Sequence, residues 1–116
     1  MFFCSPPNVT VRDHSEIEIP GNRILYACVM VGGAYGNDII SILEYSIQQA
    51  RLVPPPEIGG LRVPGAKHAA PRLIWLPAVD GVRQLRLYYA SRPDGATSGA
   101  FRLTYFDLPF YDPAPA

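Results

Sequence analysis

Lysine is almost missing from this chain: nine of its ten cations are arginine, and Lys67 is the exception. Charge of either sign is scarce. Asp, Glu, Lys and Arg make up 17% of the 116 residues, against roughly 25% in a typical soluble domain. The two signs cancel to a formal net charge of zero, which removes any strong overall field toward nucleic acid or an anionic membrane. Cysteine occurs twice, at Cys4 and Cys28, with no CxxC spacing. Two thiols cannot build a four-thiolate zinc site or a disulfide framework. No apolar run approaches the roughly 18–20 residues of a membrane-crossing helix. The opening "MFFCSPPN" has neither a basic region nor an extended apolar one, so it does not read as a secretion signal and the expected location is cytoplasmic.

Motifs that would name a chemistry are missing as well. The stretch "VMVGGAYGNDIISIL", Val29 to Leu43, has the outline of a phosphate-binding turn: an apolar run, glycines, then a periodic run. Its details fail. Val31 stands where a dinucleotide fingerprint needs its first glycine, and Asn37 and Asp38 stand where a P-loop needs lysine and a hydroxyl. Asp38 is anionic where an anion would dock. The glycines are explained by a tight strand-to-helix junction, with a shallow ligand seat at Gly33, Tyr35, Gly36 and Asp38 as the alternative. The histidines, His14 and His68, form no HxH or HxxxH pair, so no metal is predicted and no cofactor is implied. His14 could face the glycine turn as part of that alternative ligand site.

What is present is patterned apolar sequence. "SEIEI" alternates, with Ile17 and Ile19 on one face and Glu16 and Glu18 on the other, as in a half-buried strand. "PGN" then predicts a turn, and "RILYACVMV" a central strand covered on both faces. From Asp38 to Val53 the residues Ile39, Ile40, Leu43, Ile47 and Ala50 recur at three- and four-residue spacing, which predicts an amphipathic helix capped by Asn37 or Asp38 and ended by Pro54, Pro55 and Pro56. Residues 54–71 hold five prolines and three glycines and predict a long irregular loop carrying Lys67 and His68. Three further strands follow, over 72–78, 82–90 and 100–107.

The expected architecture is therefore α+β: one domain over 1–116, with one main helix on a mostly antiparallel sheet of about five strands, in the order β-β-α-β-β-β. An irregular arm (1–7), the long loop (54–71) and a proline-rich tail (108–116) complete it. In the last two strands Leu85, Leu87 and Tyr89 share one face, and Phe101, Leu103 and Tyr105 are expected to share it. The opposite face then carries Arg86, Tyr88, Arg102, Thr104 and Phe106. Arginine alternating with aromatic residues suits a protein-contact face, since Arg and Tyr dominate interface hot spots. The same alternation can hold single-stranded nucleic acid, a reading that the zero net charge opposes. The leading functional expectation is a non-enzymatic binding protein, of inhibitor, immunity or assembly-subunit type. It contacts another protein or a second copy of itself through Arg86, Tyr88, Arg102 and Phe106, with Lys67 and His68 from the loop.

Overall fold

The computed structural model describes residues 10–31, 38–65, 67–92 and 101–113. Its described residues contain seven strands and no helix, so the expected α+β fold is corrected to an all-β one. The strands are β1 (Thr10–Ile19), β2 (Arg23–Val31), β3 (Ile39–Ser46), β4 (Arg51–Val53), β5 (Lys67–Trp75), β6 (Arg83–Arg92) and β7 (Arg102–Asp112). They form two antiparallel meanders, a four-stranded sheet β1-β2-β3-β4 and a three-stranded sheet β5-β6-β7.

The predicted helix over 38–53 is instead the β3–β4 hairpin. Its first half is a short apolar run broken only by Ser41, which fits helix and strand spacing equally. Three isoleucines and a tyrosine favour the pleated form, and β2 is alongside to pair with it: Ala27 opposes Ile42, and Val29 opposes Ile40. Ile40 and Ile42 enter the core, while Leu43 and Tyr45 point the other way. The second half turns. Ala50 sits at φ 51°, the Gln49 N–H bonds Ser46 Oγ at 3.2 Å, and Ile47, expected in the apolar stripe, is 87% exposed.

The core lies between the sheets. Leu25, Ala27, Val29, Ile40 and Ile42 face Leu73, Leu85, Leu87, Tyr89, Leu108 and Phe110. The proline-rich crossover joins the two sheets and contributes Val63 to this core, so it is more than a surface loop. Its last residues, 67–71, belong to β5. Similarly, β7 runs to Asp112, which places Leu108 and Phe110 of the expected tail in the core. At one end Arg23 joins both sheets. It forks onto Glu44 (2.9 and 2.8 Å), bonds Glu57 of the crossover, and lies 5.9 Å from the Phe110 ring.

Candidate functional site

Strand alternation decides what the outer face of the three-stranded sheet presents. In β6, Leu85, Leu87 and Tyr89 are buried, so Arg86 and Tyr88 point outward. In β7 the inward residues are Phe106, Leu108 and Phe110, because Leu87 pairs with Phe106 and Leu85 with Leu108. The outward residues are Leu103, Tyr105 and Asp107. Arg86 stands opposite Asp107 on β7 and opposite Ile74 on β5, while Tyr88 stands opposite Tyr105.

These side chains form one organised cluster. Arg86 forks onto Asp107, with Nε to Oδ1 at 2.6 Å and the second arm to Oδ2 at 3.2 Å. Its guanidinium also donates to Tyr88 Oη at 3.3 Å and lies flat against Tyr105, 3.9 Å from the ring centre. The Asp107 hydrogen bonds, followed by that to Tyr88, raise its pKa further above the arginine range. Tyr88 and Tyr105 sit 6.0 Å apart at a tilt. Around this fixed charge Tyr105 is 54% exposed, Leu103 78% and Ile74 39%, and the exposed Arg72 of β5 stands opposite Tyr88 as a second cation. The cluster has the composition of an interface hot spot, an aromatic and aliphatic patch with an arginine already ordered for contact. Its one carboxylate, Asp107, is engaged by Arg86 through both oxygens.

The sequence-predicted residues do not all gather here. Arg86 and Tyr88 do. Arg102 and Phe106 do not: they occupy the opposite parity of β7, with Phe106 half-buried against the core and Arg102 paired with Ser91. Phe101, Leu103 and Tyr105, expected to face the core, are exposed. Leu103, Tyr105 and Asp107 were thus missed as site residues. Both parities of β7 carry aromatic side chains, so alternation alone does not choose its face, and a long β6–β7 connection leaves the register open. Pairing with Tyr89 and Leu87 supplies the choice.

Lys67 and His68 separate as neighbours in a strand must. Lys67 is partly exposed at the start of β5, opposite Arg92. His68 is buried and unavailable to a partner. Its Nδ1 accepts the Ile40 N–H at 2.9 Å, which leaves the proton on Nε2, and Nε2 donates it to the Pro64 carbonyl at 2.9 Å. Its ring meets Tyr89 edge-on at 5.2 Å, and the Tyr89 hydroxyl donates to the same carbonyl. Burial holds the His68 pKa below the usual imidazole value.

Of the alternative ligand site, Gly33, Tyr35 and Gly36 lie outside the described residues. Asp38 caps no helix. It is buried at the head of β3, ion-paired to Arg12, and its carbonyl accepts the His68 N–H at 2.6 Å. His14 is exposed on the outer face of β1, opposite Cys28. Burial pushes the Cys28 thiol up to about 12, which keeps it protonated and inert. Among the described residues no three His, Cys, Asp or Glu side chains meet as metal ligands.

A concavity of about 700 Å³ was not foreseen. It lies on the four-stranded sheet, between Ile24 and Tyr26 of β2, Tyr45 of β3, Leu52 of β4 and the Ile47 turn. It exists only because the expected helix is a hairpin.

No protein family, curated protein or solved structure matches the chain in comparison. Among the described residues no helix is long and apolar enough to cross a membrane.

Proposed function

We propose that this protein is a small non-enzymatic β-sandwich that acts by contact with another protein, through the outer face of its three-stranded sheet. One observation carries the reading: Arg86, locked by Asp107, lies against an aromatic ring that is still half exposed and is flanked by Leu103 and Ile74. Ordering a long side chain is a cost of association, and here it is met before a partner arrives. Stabilising the fold does not call for Leu103 to be apolar, since it is 78% exposed. The test is retention of a host protein by the immobilised wild type and its loss with Arg86→Ala combined with Tyr105→Ala, in a variant that still unfolds cooperatively well above the binding temperature. Equal retention by both proteins, or none by either, rejects the reading.

A small-ligand site is the second reading, moved from the glycine turn to the concavity beside Tyr26 and Tyr45. Its support is a mostly apolar hollow ringed by a few polar groups, among them Asn22, Ser46 and Gln48. A metabolite panel that raises the melting temperature of the wild type, but not of Tyr45→Ala, would establish it. No stabilisation by any compound rejects it.

A further inference from the structure

The two sheets have four outer edges, and three of them are blunted against further pairing. β1 is broken by an irregularity between Val11 and Asp13 and carries Arg12, Asp13, Glu16 and Glu18. β4 is three residues long. β5 contains Pro71 and a register shift between Ala69 and Arg72, and its edge is already used: the Leu73 N–H bonds Ser15 Oγ at 3.0 Å and the His68 N–H bonds the Asp38 carbonyl. Charges, prolines, bulges and shortness are the devices that keep sheet edges from joining other chains.

The fourth edge, β7, is protected over half its length. A bulge at Pro109 and Phe110 interrupts the end near Asp112. The half from Arg102 to Leu108 has no proline, no lysine and no bulge. Among the described residues no strand pairs with its outer side. This half also carries Leu103 and Tyr105, the exposed apolar residues described above. The unguarded edge and the uncovered apolar surface therefore coincide.

We infer that a second copy of this chain pairs with this edge, β7 against β7, antiparallel about a two-fold axis at Thr104. Three features favour a second copy over a foreign strand. The net charge is zero, so two copies do not repel. Asp107 and Asp112 are already ion-paired within the chain, to Arg86 and Arg83, and antiparallel pairing about Thr104 sets no like charges opposite one another. Arg102 is also without an ion pair among the described residues. The parity is self-complementary as well. An axis at Thr104 sets Leu103 opposite Tyr105 of the second copy, twice, and keeps both on the outer face. Arg102 then lies opposite Phe106 of the second copy, on the other face of the sheet from Leu103 and Tyr105. An axis at Tyr105 would instead set Leu103 against a carboxylate. The result is a continuous six-stranded sheet that carries two Arg86 clusters on one face. This arrangement does not depend on a foreign protein binding those clusters.

The experiment is sedimentation velocity over the micromolar range, with disulfide trapping in a Cys4→Ser background, where Cys28 stays buried. The wild type is expected to dimerise with concentration. Leu103→Lys, at a side chain that is almost free, should keep the wild-type melting temperature at dilutions where both proteins are monomeric, and weaken dimerisation at least about tenfold by placing a charge against Tyr105. Thr104→Cys should oxidise to a covalent dimer, and Tyr105→Cys should not, because only position 104 meets itself. A wild type that stays monomeric throughout overturns the inference. A dimer unaffected by Leu103→Lys, or trapped by Tyr105→Cys but not by Thr104→Cys, overturns it too. A monomer that retains a host protein through Arg86 and Tyr105 rejects the dimer alone, and a dimer that retains none rejects the partner reading alone.

Discussion

The backbone N–H of Ile40 donates to Nδ1 of His68 at 2.9 Å, so one imidazole ties a strand of the four-stranded sheet to a strand of the three-stranded sheet. The bond needs the neutral ring, because a protonated Nδ1 would present a second donor to the Ile40 donor. The groups facing it are the Pro64 carbonyl, Tyr89, the backbone of Asp38 and the cationic Arg62, and Arg62 further disfavours a charged ring.

Stability is therefore expected to depend on pH through His68. Its folded-state pKa is depressed, so the unfolded chain takes up a proton more readily than the folded protein does. The contribution is complete above the unfolded value of about 6.5 and is lost as pH falls from there toward the folded value. Melting temperatures between mildly acidic and neutral pH should fall more steeply for the wild type than for His68→Gln. Parallel curves would refute this.

Ile42 and Ile47 separate the hairpin from the helix. In a helix Ile47 shares the buried stripe, while in the hairpin Ile42 is 5% exposed and Ile47 87%. Ile42→Ala is expected to cost about 2–5 kcal/mol, and Ile47→Ala to stay within about 0.5 kcal/mol of wild type, in urea unfolding. The reverse order would restore the helix.

Gly65 stands at φ +116° under the His68 ring. A Cβ there would meet His68 Nε2 at 3.0 Å and Ser91 Cβ at 3.1 Å. Gly65→Ala combines a disfavoured backbone with a clash at the imidazole, and should destabilise by about 1–3 kcal/mol in chemical denaturation. The same change at Gly60, which has open space around it, should do far less.

Tyr105 should matter to a protein partner and little to the fold. Tyr105→Ala is expected to weaken binding of a retained host protein by at least about 2 kcal/mol, roughly thirtyfold in calorimetry, while costing the fold no more than about 1 kcal/mol. Arg102→Ala, on the other face, should leave that affinity intact. Equal losses would mean that both faces of β7 contact the partner.

The legible parts of the fold were those with one polar face, as in β1, or an unbroken β-branched and aromatic run without helical spacing, as in β2. Glu16 and Glu18 mark the outside of β1, and "PGN" predicts a turn where Gly21 and Asn22 indeed take positive φ. Misreading begins where both faces are apolar and the spacing fits a helix as well. Ile39, Ile40, Leu43 and Ile47 satisfy a helical period by chance, and only pairing of the first three with β2 settles their conformation. The site was half legible for the same reason. Arg86 and Tyr88 stand out against Leu85, Leu87 and Tyr89, but β7 has aromatic residues at both parities, so a one-residue error moved Arg102 and Phe106 onto the wrong face. His68 looked like a loop residue because nothing in "GAKHAAP" announces a strand. Its role depends on Ile40, which is 28 positions away in sequence.

The two meanders carry one more consequence, for how the chain can be divided. Every strand pair lies wholly before or wholly after the proline-rich crossover, so a cut between Gly59 and Gly60, both exposed, severs no ladder. The two pieces differ in what they retain: the first has four strands and Ile58, the second has three strands and Val63. Each leaves one apolar sheet face bare. The crossover then acts mainly as a tether that raises the local concentration of one face at the other. Pieces 1–59 and 60–116, made separately and mixed, should reassemble and restore the native environment of Trp75, at a midpoint that rises with concentration. If they stay unfolded together, the crossover is needed for more than proximity.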